Sequence, residues 1–190
     1  MNVLHRRYCR SAEWGRLVAD QLVPWVLADL ELGPRALELG PGPGLTTEEL
    51  RRRAAHLTAV EIDARDAAEL CDRYPADEVT VVRGDATDLP FADESFTGVV
   101  SMTMLHHVPT TEDQDRVFAD ALRVLAPGGV FCGCDSRPDL RWRLLHVGDT
   151  CTVLEPDTLQ GRLERAGFTD VRVDTTERRT RFRARRPPVA

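Results

Sequence analysis

Apolar positions change their period along this chain, and those changes divide it into elements. From residue 34 onward, short apolar runs at 35–39, 57–62, 79–84, 96–102 and 129–134 alternate with stretches whose apolar residues recur every three or four positions. The alternation predicts repeated βα units and an α/β, doubly wound, mostly parallel sheet with helices on both faces. Helical stretches follow the first and second runs, and a longer one over 110–125 precedes the fifth. There Thr111 and Gln114 read as a capping box, Val117, Phe118, Ala121, Leu122 and Leu125 share a face, and "APGG" ends the helix.

Before the sheet, residues 11–32 carry Trp14, Leu17, Val18, Leu22, Trp25 and Val26 at helical spacing, opened by Ser11, with Pro24 expected to kink or split the segment. After the fifth run, Leu159, Leu163 and Ala166 mark a further helix stopped by Gly167. Two strands follow, "FTDVRVDT" and "TRFRARR", close enough to pair antiparallel. No internal repeat or low-complexity linker interrupts the pattern. The reading is therefore a helical extension or lid over residues 1–33 and one domain over 34–190.

Composition narrows the chemistry. A length of 190 residues suits one core, and a formal net charge of −6 gives no general attraction for a polyanion. Lysine is absent, which removes a P-loop lysine and a Schiff-base lysine together. The five cysteines are odd in number and contain no C-x-x-C pair, so neither a disulfide framework nor a metal site is indicated. Cys132 and Cys134 alternate onto one strand face as core filling. With such cysteines a reducing cytoplasm is the expected home, and no apolar segment reaches the roughly 20 residues needed to span a bilayer.

The stretch "ALELGPGPGL" (36–45) holds Glu38, then Gly40, Pro41, Gly42, Pro43 and Gly44, at the end of the first strand. In doubly wound sheets that turn binds nucleotide-like ligands. A dinucleotide's pyrophosphate needs backbone N–H donors, and the two prolines have none to give. Carbonyls beside a carboxylate suit a cation instead, which points to S-adenosylmethionine (SAM) rather than NAD. Glu61, with Ile62 and Asp63 after it, stands where an acid accepts both hydroxyls of an adenosine ribose. Gly84, Asp85 and Ala86 follow the third strand, where a carboxylate accepts the adenine amine and a backbone N–H reaches the ring.

The stretches "LELGPGPG", "VEID", "GDATDLPFADESF", "LHHV" and "RVLAPGG" occur in the order and at the intervals of the class I SAM-dependent methyltransferases, and the chain resembles their small-molecule branch over residues 34–135. The resemblance implies a seven-stranded sheet with an antiparallel last pair. It also implies SAM as cofactor, with Glu38 to Gly44 at the methionine moiety, Glu61 at the ribose, Asp85 and Ala86 at the adenine, and Ser101 and Met102 in the same cofactor site. Thr97 departs from the family's common aspartate, at a position expected to support the sheet edge of the pocket.

Methyl transfer from a sulfonium needs mainly alignment and exclusion of water, and a histidine helps when the nucleophile carries a proton. His106 and His107 follow the fourth strand, and His146 lies in the polar connection after the fifth, making these three the catalytic candidates against a structural role in the same loops. Asp135 and Asp149 of that connection, with His5 and Trp14 of the N-terminal segment, are candidate substrate contacts, and Tyr8 is placed near the cofactor carboxylate. The expected partner is a small molecule, with a homodimer left open and no membrane. Nucleic acid is disfavoured, because the arginine run "RRTRFRARR" reads as guarding an exposed sheet edge. The rival readings are methylation of RNA or protein through that run, and SAM binding without methyl transfer.

Overall fold

The computed structural model describes residues 2–189. Its centre is one seven-stranded sheet of β1 (Arg35–Leu39), β2 (His56–Glu61), β3 (Val79–Arg83), β4 (Phe96–Met102), β5 (Leu125–Ser136), β6 (Thr169–Thr175) and β7 (Arg179–Arg185), in the order β3-β2-β1-β4-β5-β7-β6. The contacts β1–β2, β1–β4, β2–β3 and β4–β5 are parallel, and β7 runs antiparallel to both β5 and β6. The order reverses between β1 and β4, the switch point at which such sheets bind ligands beyond their carboxyl edge.

Period-two alternation puts each strand's side chains into two cores. Leu37, Leu39, Val99 and Phe131 face one side, under Val117, Phe118 and Ala121 of α6 (Thr111–Val124) and Leu159 and Leu163 of α8 (Pro156–Ala166). Ala36, Val100, Val130, Cys132 and Cys134 face the other, under α4 (Leu45–Leu50), α5 (Ala64–Arg73) and the N-terminal helices. The two strand cysteines fill core as expected, and burial pushes each thiol up to about 12. Among the described residues no helix is long and apolar enough to cross a membrane.

The N-terminal segment forms α1 (Val3–Cys9), α2 (Ala12–Leu17), a π-helical turn over Val18–Leu22 and α3 (Val23–Val26). Ser11 caps α2 by accepting the Trp14 N–H at 3.1 Å. Pro24 does not break the run. The chain widens to the π turn immediately before it, the Val23 N–H reaching back to Val18.

Three expectations need correction. The cap of α6 is Thr110, whose hydroxyl accepts the Asp113 N–H at 3.0 Å, because Thr110 and not Thr111 holds the extended backbone a cap requires. Gln114 is buried and bonds Leu105, Thr152 and Arg162 instead. Thr97 lies at the start of β4, away from the carboxyl edge, where its hydroxyl bonds the Leu32 carbonyl at 2.8 Å and the Arg35 N–H at 3.0 Å and so braces the entry to β1. The arginine run guards no edge, since β7 is inserted between β5 and β6.

Candidate active site

A cavity of about 1240 Å³ opens along the carboxyl edge of β1, β2, β3 and β4. Single-ligand sites occupy roughly 300–1,000 Å³, so two reactants fit side by side. The glycine turn, Glu61 and Asp85 form one end, and a group of histidines the other.

Every residue from 40 to 44 either has no N–H or already donates it. Gly40 donates to the Val60 carbonyl at 2.9 Å, Gly42 to Glu61 Oε2 at 2.9 Å and Gly44 to the Pro41 carbonyl at 3.0 Å, while Pro41 and Pro43 have no amide proton. Gly40 sits at φ +64°, and a Cβ there would come within 2.3 Å of Met104; at Gly42, φ +52°, a Cβ would meet nothing within 4 Å. The turn thus lays bare backbone against the cavity with its donors satisfied. That rim is matched to a ligand without phosphate.

Glu61 is buried at the tip of β2. Its two oxygens accept the Gly42 and Asp63 N–H groups, and although burial raises its pKa, those bonds counter the rise. Each carboxylate oxygen has two lone pairs, so hydroxyls can join the same acid. Asp63 lines the cavity too, but its carboxylate caps α5 and pairs with Arg6 at 2.9 Å. Asp85 accepts the Thr87 N–H and hydroxyl, each at 2.9 Å, which fixes its loop.

Gly40, Pro41, Gly42, Glu61, Ile62, Asp63, Gly84, Asp85, Ala86, Met102 and Tyr8 of the expected cofactor set line the cavity. Glu38, Gly44 and Ser101 do not. Glu38 is 1% exposed behind the turn, where its Oε2 accepts the Thr47 hydroxyl at 2.7 Å, and burial lifts its pKa to about 8. Gly44 begins α4 against Leu70, and Ser101 is buried within β4.

At the other end, His5, His106, His107 and His146 converge, with one ring nitrogen of each within 4.8 Å of the others. His106 and His107 belong to a 3-10 turn (Leu105–His107) after β4, His5 to α1, and His146 directly follows α7 (Leu140–Leu145). The turn is set by Thr103, a β-branched residue at φ +52° whose N–H is held by the Cys134 carbonyl at 2.7 Å. Asp135 and Asp149 stand behind the histidines. Asp135 Oδ1 lies 2.6 Å from His106 Nδ1 and Asp149 Oδ2 lies 2.9 Å from His5 Nδ1. Burial alone would raise the Asp135 pKa, but His106 and two backbone N–H groups hold it below the usual range. Burial lowers His5 to about 4 and His107 to about 3, and lowers His146 as well, so these three rings are neutral near pH 7.

Sequence reasoning named all four histidines but split them between catalysis and substrate contact. It passed over Arg6 and Arg10, which bind Asp63, Asp66 and Glu69 and tie α1 across the cavity to α5. It also passed over Trp142, which stacks on His146 with centroids 4.2 Å apart and whose buried indole N–H has no partner. The one available signal was an aromatic inside an otherwise polar connection.

Two curated relatives align with part of the chain. A fatty-acid O-methyltransferase of Mycolicibacterium smegmatis is 37% identical over 114 residues, covering 58% of this chain and 40% of the relative. A demethylmenaquinone methyltransferase of Thermobifida fusca is 36% identical over 110 residues, covering 56% and 45%. The chain therefore spans less than half the length of either. Among solved structures, the N-methyltransferase NodS of Bradyrhizobium japonicum in complex with S-adenosyl-L-homocysteine shares the fold at a TM-score of 0.71 and 20% identity, over 95% of this chain and 91% of that one. Residues 37–133 match the family model described as a methyltransferase domain. With about half its length under that model, on this strand order, the chain belongs to the class I SAM-dependent methyltransferases.

Proposed function

We propose that this chain binds SAM and moves its methyl group to a proton-bearing oxygen or nitrogen of a small molecule. The observation that carries the reading is the glycine turn with no amide proton left to offer, joined by one cavity to a cluster of four histidines. Gly40, Pro41 and Gly42 would hold the amino-acid end, Glu61 and Ile62 the ribose, and Asp85 with Ala86 the adenine. When bound, SAM supplies a carbon already activated by a sulfonium. The chain's own share is alignment, exclusion of water by α1 and α7, and reception of the acceptor's proton.

In the metal-free chain His106 suits that last task. A carboxylate oxygen accepts, so Asp135 fixes the proton of His106 on Nδ1 and leaves Nε2 as the basic atom. Relatives named for methylating a fatty acid and demethylmenaquinone support a small apolar acceptor. The arginine run gives RNA little purchase, because Arg179 and Arg181 lie over Trp14 and Trp25 and Arg186 binds Glu94 and the end of α6.

Calorimetry tests the first half. SAM should bind, NADH should not, and Glu61→Ala should weaken SAM by more than about tenfold, since losing charge-assisted hydrogen bonds costs about 1.5–3 kcal/mol each. NADH binding without SAM binding would overturn the assignment. Methyl-labelled SAM incubated with a metabolite extract tests the second half: label should enter O-methyl or N-methyl products, and label found only on carbon would reject the acceptor class.

A further inference from the structure

We propose that His5, His106, His107 and His146 together bind one divalent first-row transition ion, foremost Zn²⁺. Their four ring nitrogens lie within 4.8 Å of one another, and His106 Nε2 and His146 Nε2 are 3.2 Å apart. Four nitrogens at about 2.0–2.1 Å from a tetrahedral ion are about 3.3–3.4 Å from each other. One pair already has that spacing, and the others lie within 4.8 Å.

The outer ring of contacts argues the same point independently. His106 Nδ1 meets Asp135 at 2.6 Å, His5 Nδ1 meets Asp149 at 2.9 Å, and His146 Nδ1 meets the Trp142 carbonyl at 2.7 Å. Carboxylate and carbonyl oxygens accept, so each Nδ1 carries a proton, and in the neutral rings of His5 and His146 Nε2 is left as a bare lone pair. Metal-binding histidines are oriented in this way, with carboxylates and carbonyls holding the far nitrogen. The Nε2 atoms of His106 and His146, 3.2 Å apart, share one positive charge between them, a proton in the metal-free chain or an ion in its place. A core of hydrogen-bonded histidines has no need to turn three rings in the same sense.

The donor set selects the ion. Imidazoles without an inner thiolate or carboxylate suit Zn²⁺ and its first-row neighbours, and offer little to Ca²⁺ or Mg²⁺. The ligands come from α1, from the turn after β4 and from the end of α7, so the ion would fasten both flanking helices to the sheet edge. Four histidines complete a tetrahedral shell with no open position, so the ion is structural, and while it is bound His106 Nε2 is a ligand and cannot receive the acceptor's proton. That last clause rests on the methyl-transfer reading, whereas the binding of the ion does not.

The test uses the full chain stripped by chelator. Titration with Zn²⁺ should show one equivalent bound, Co²⁺ should give the visible spectrum of nitrogen ligation, and melting temperature should rise with the ion present. His5→Ala combined with His146→Ala should weaken binding by roughly a hundredfold, while His56→Ala, at the exposed start of β2, should not. X-ray absorption at the zinc edge of the unaltered chain should show a nitrogen shell at about 2.0–2.1 Å. That readout stands even if the double variant fails to fold. No stoichiometric binding, a sulfur shell, or an equal loss in His56→Ala would overturn the proposal. Calorimetry with SAM on the same stripped sample reports the cofactor reading separately.

Discussion

Glu38 lies one residue before the end of β1, inside the protein, with its carboxyl against Thr47 and the charge of Glu61 nearby. Burial, the largest cause, and then Glu61 lift its pKa from 4.5 to about 8, while the Thr47 hydroxyl opposes the rise. Below about pH 4.5 the folded and unfolded chains both keep the proton, and the group's contribution to stability is intact. From there to about pH 8 the unfolded chain ionises and the folded one does not, so stability falls with rising pH, by an amount on the order of a few kcal/mol. Glu38→Gln keeps an acceptor for Thr47 and abolishes the titration. Melting temperatures from pH 5 to 8.5 should therefore decline in the parent and stay flatter in Glu38→Gln, with the variant the more stable at the alkaline end. Parallel curves would show that Glu38 ionises freely in the fold.

Helix α1 has seven residues, too few for a helix to persist unaided, so its ties decide where it lies. Arg6 reaches Asp63 at 2.9 Å and Arg10 reaches Asp66 at 2.5 Å and Glu69 at 2.6 Å, while Asn2 donates to the Leu145 carbonyl at 2.8 Å. Half-exposed ion pairs contribute little each, about 0.2–1 kcal/mol, yet Asp66 is 2% exposed and would lose both arginine partners together. Replacing Arg6 and Arg10 by alanine should lower hydrogen-exchange protection across residues 3–9 and leave that of β4 and β5 unchanged. Protection that persists over α1 would show that packing around His5 holds it without the arginines. At this scale the sequence was partly legible. Period changes marked β1 to β5 and the helices between them, because the central strands are buried on both faces and read as continuous apolar runs, while the helices are amphipathic. The cap of α6 was misplaced by one residue, since two adjacent threonines offer the same hydroxyl and only backbone conformation separates them. The clustering of His5 and His146 with His106 was hidden, because it arises from where α1 and α7 come to rest and no local spacing encodes that.

At the scale of the whole molecule, the order of strands in space departs from their order in the chain, and the departure changes what the C-terminal segment is for. Read along the sequence, "RRTRFRARR" looks like an edge strand whose arginines guard it. In the sheet it is an inner strand, with Phe182 fully buried and Ala184 1% exposed between β5 and β6. The alternation of arginine with Thr180, Phe182 and Ala184 is legible as a strand with one buried face, but which neighbours it takes depends on pairing across the whole sheet. Removing residues 178–190 would delete two ladders and leave β6 without the strand that joins it to the sheet. Loss of the Phe182 side chain alone costs about 3–5 kcal/mol, comparable with the roughly 5–15 kcal/mol that holds a whole domain folded. A chain ending at residue 177 should therefore lose cooperative unfolding, by circular dichroism and calorimetry, and lose SAM binding with it. A truncated protein that still melts cooperatively and binds SAM would mean that β1 to β5 form a self-sufficient unit, and that the arginine strand serves some purpose other than completing the core.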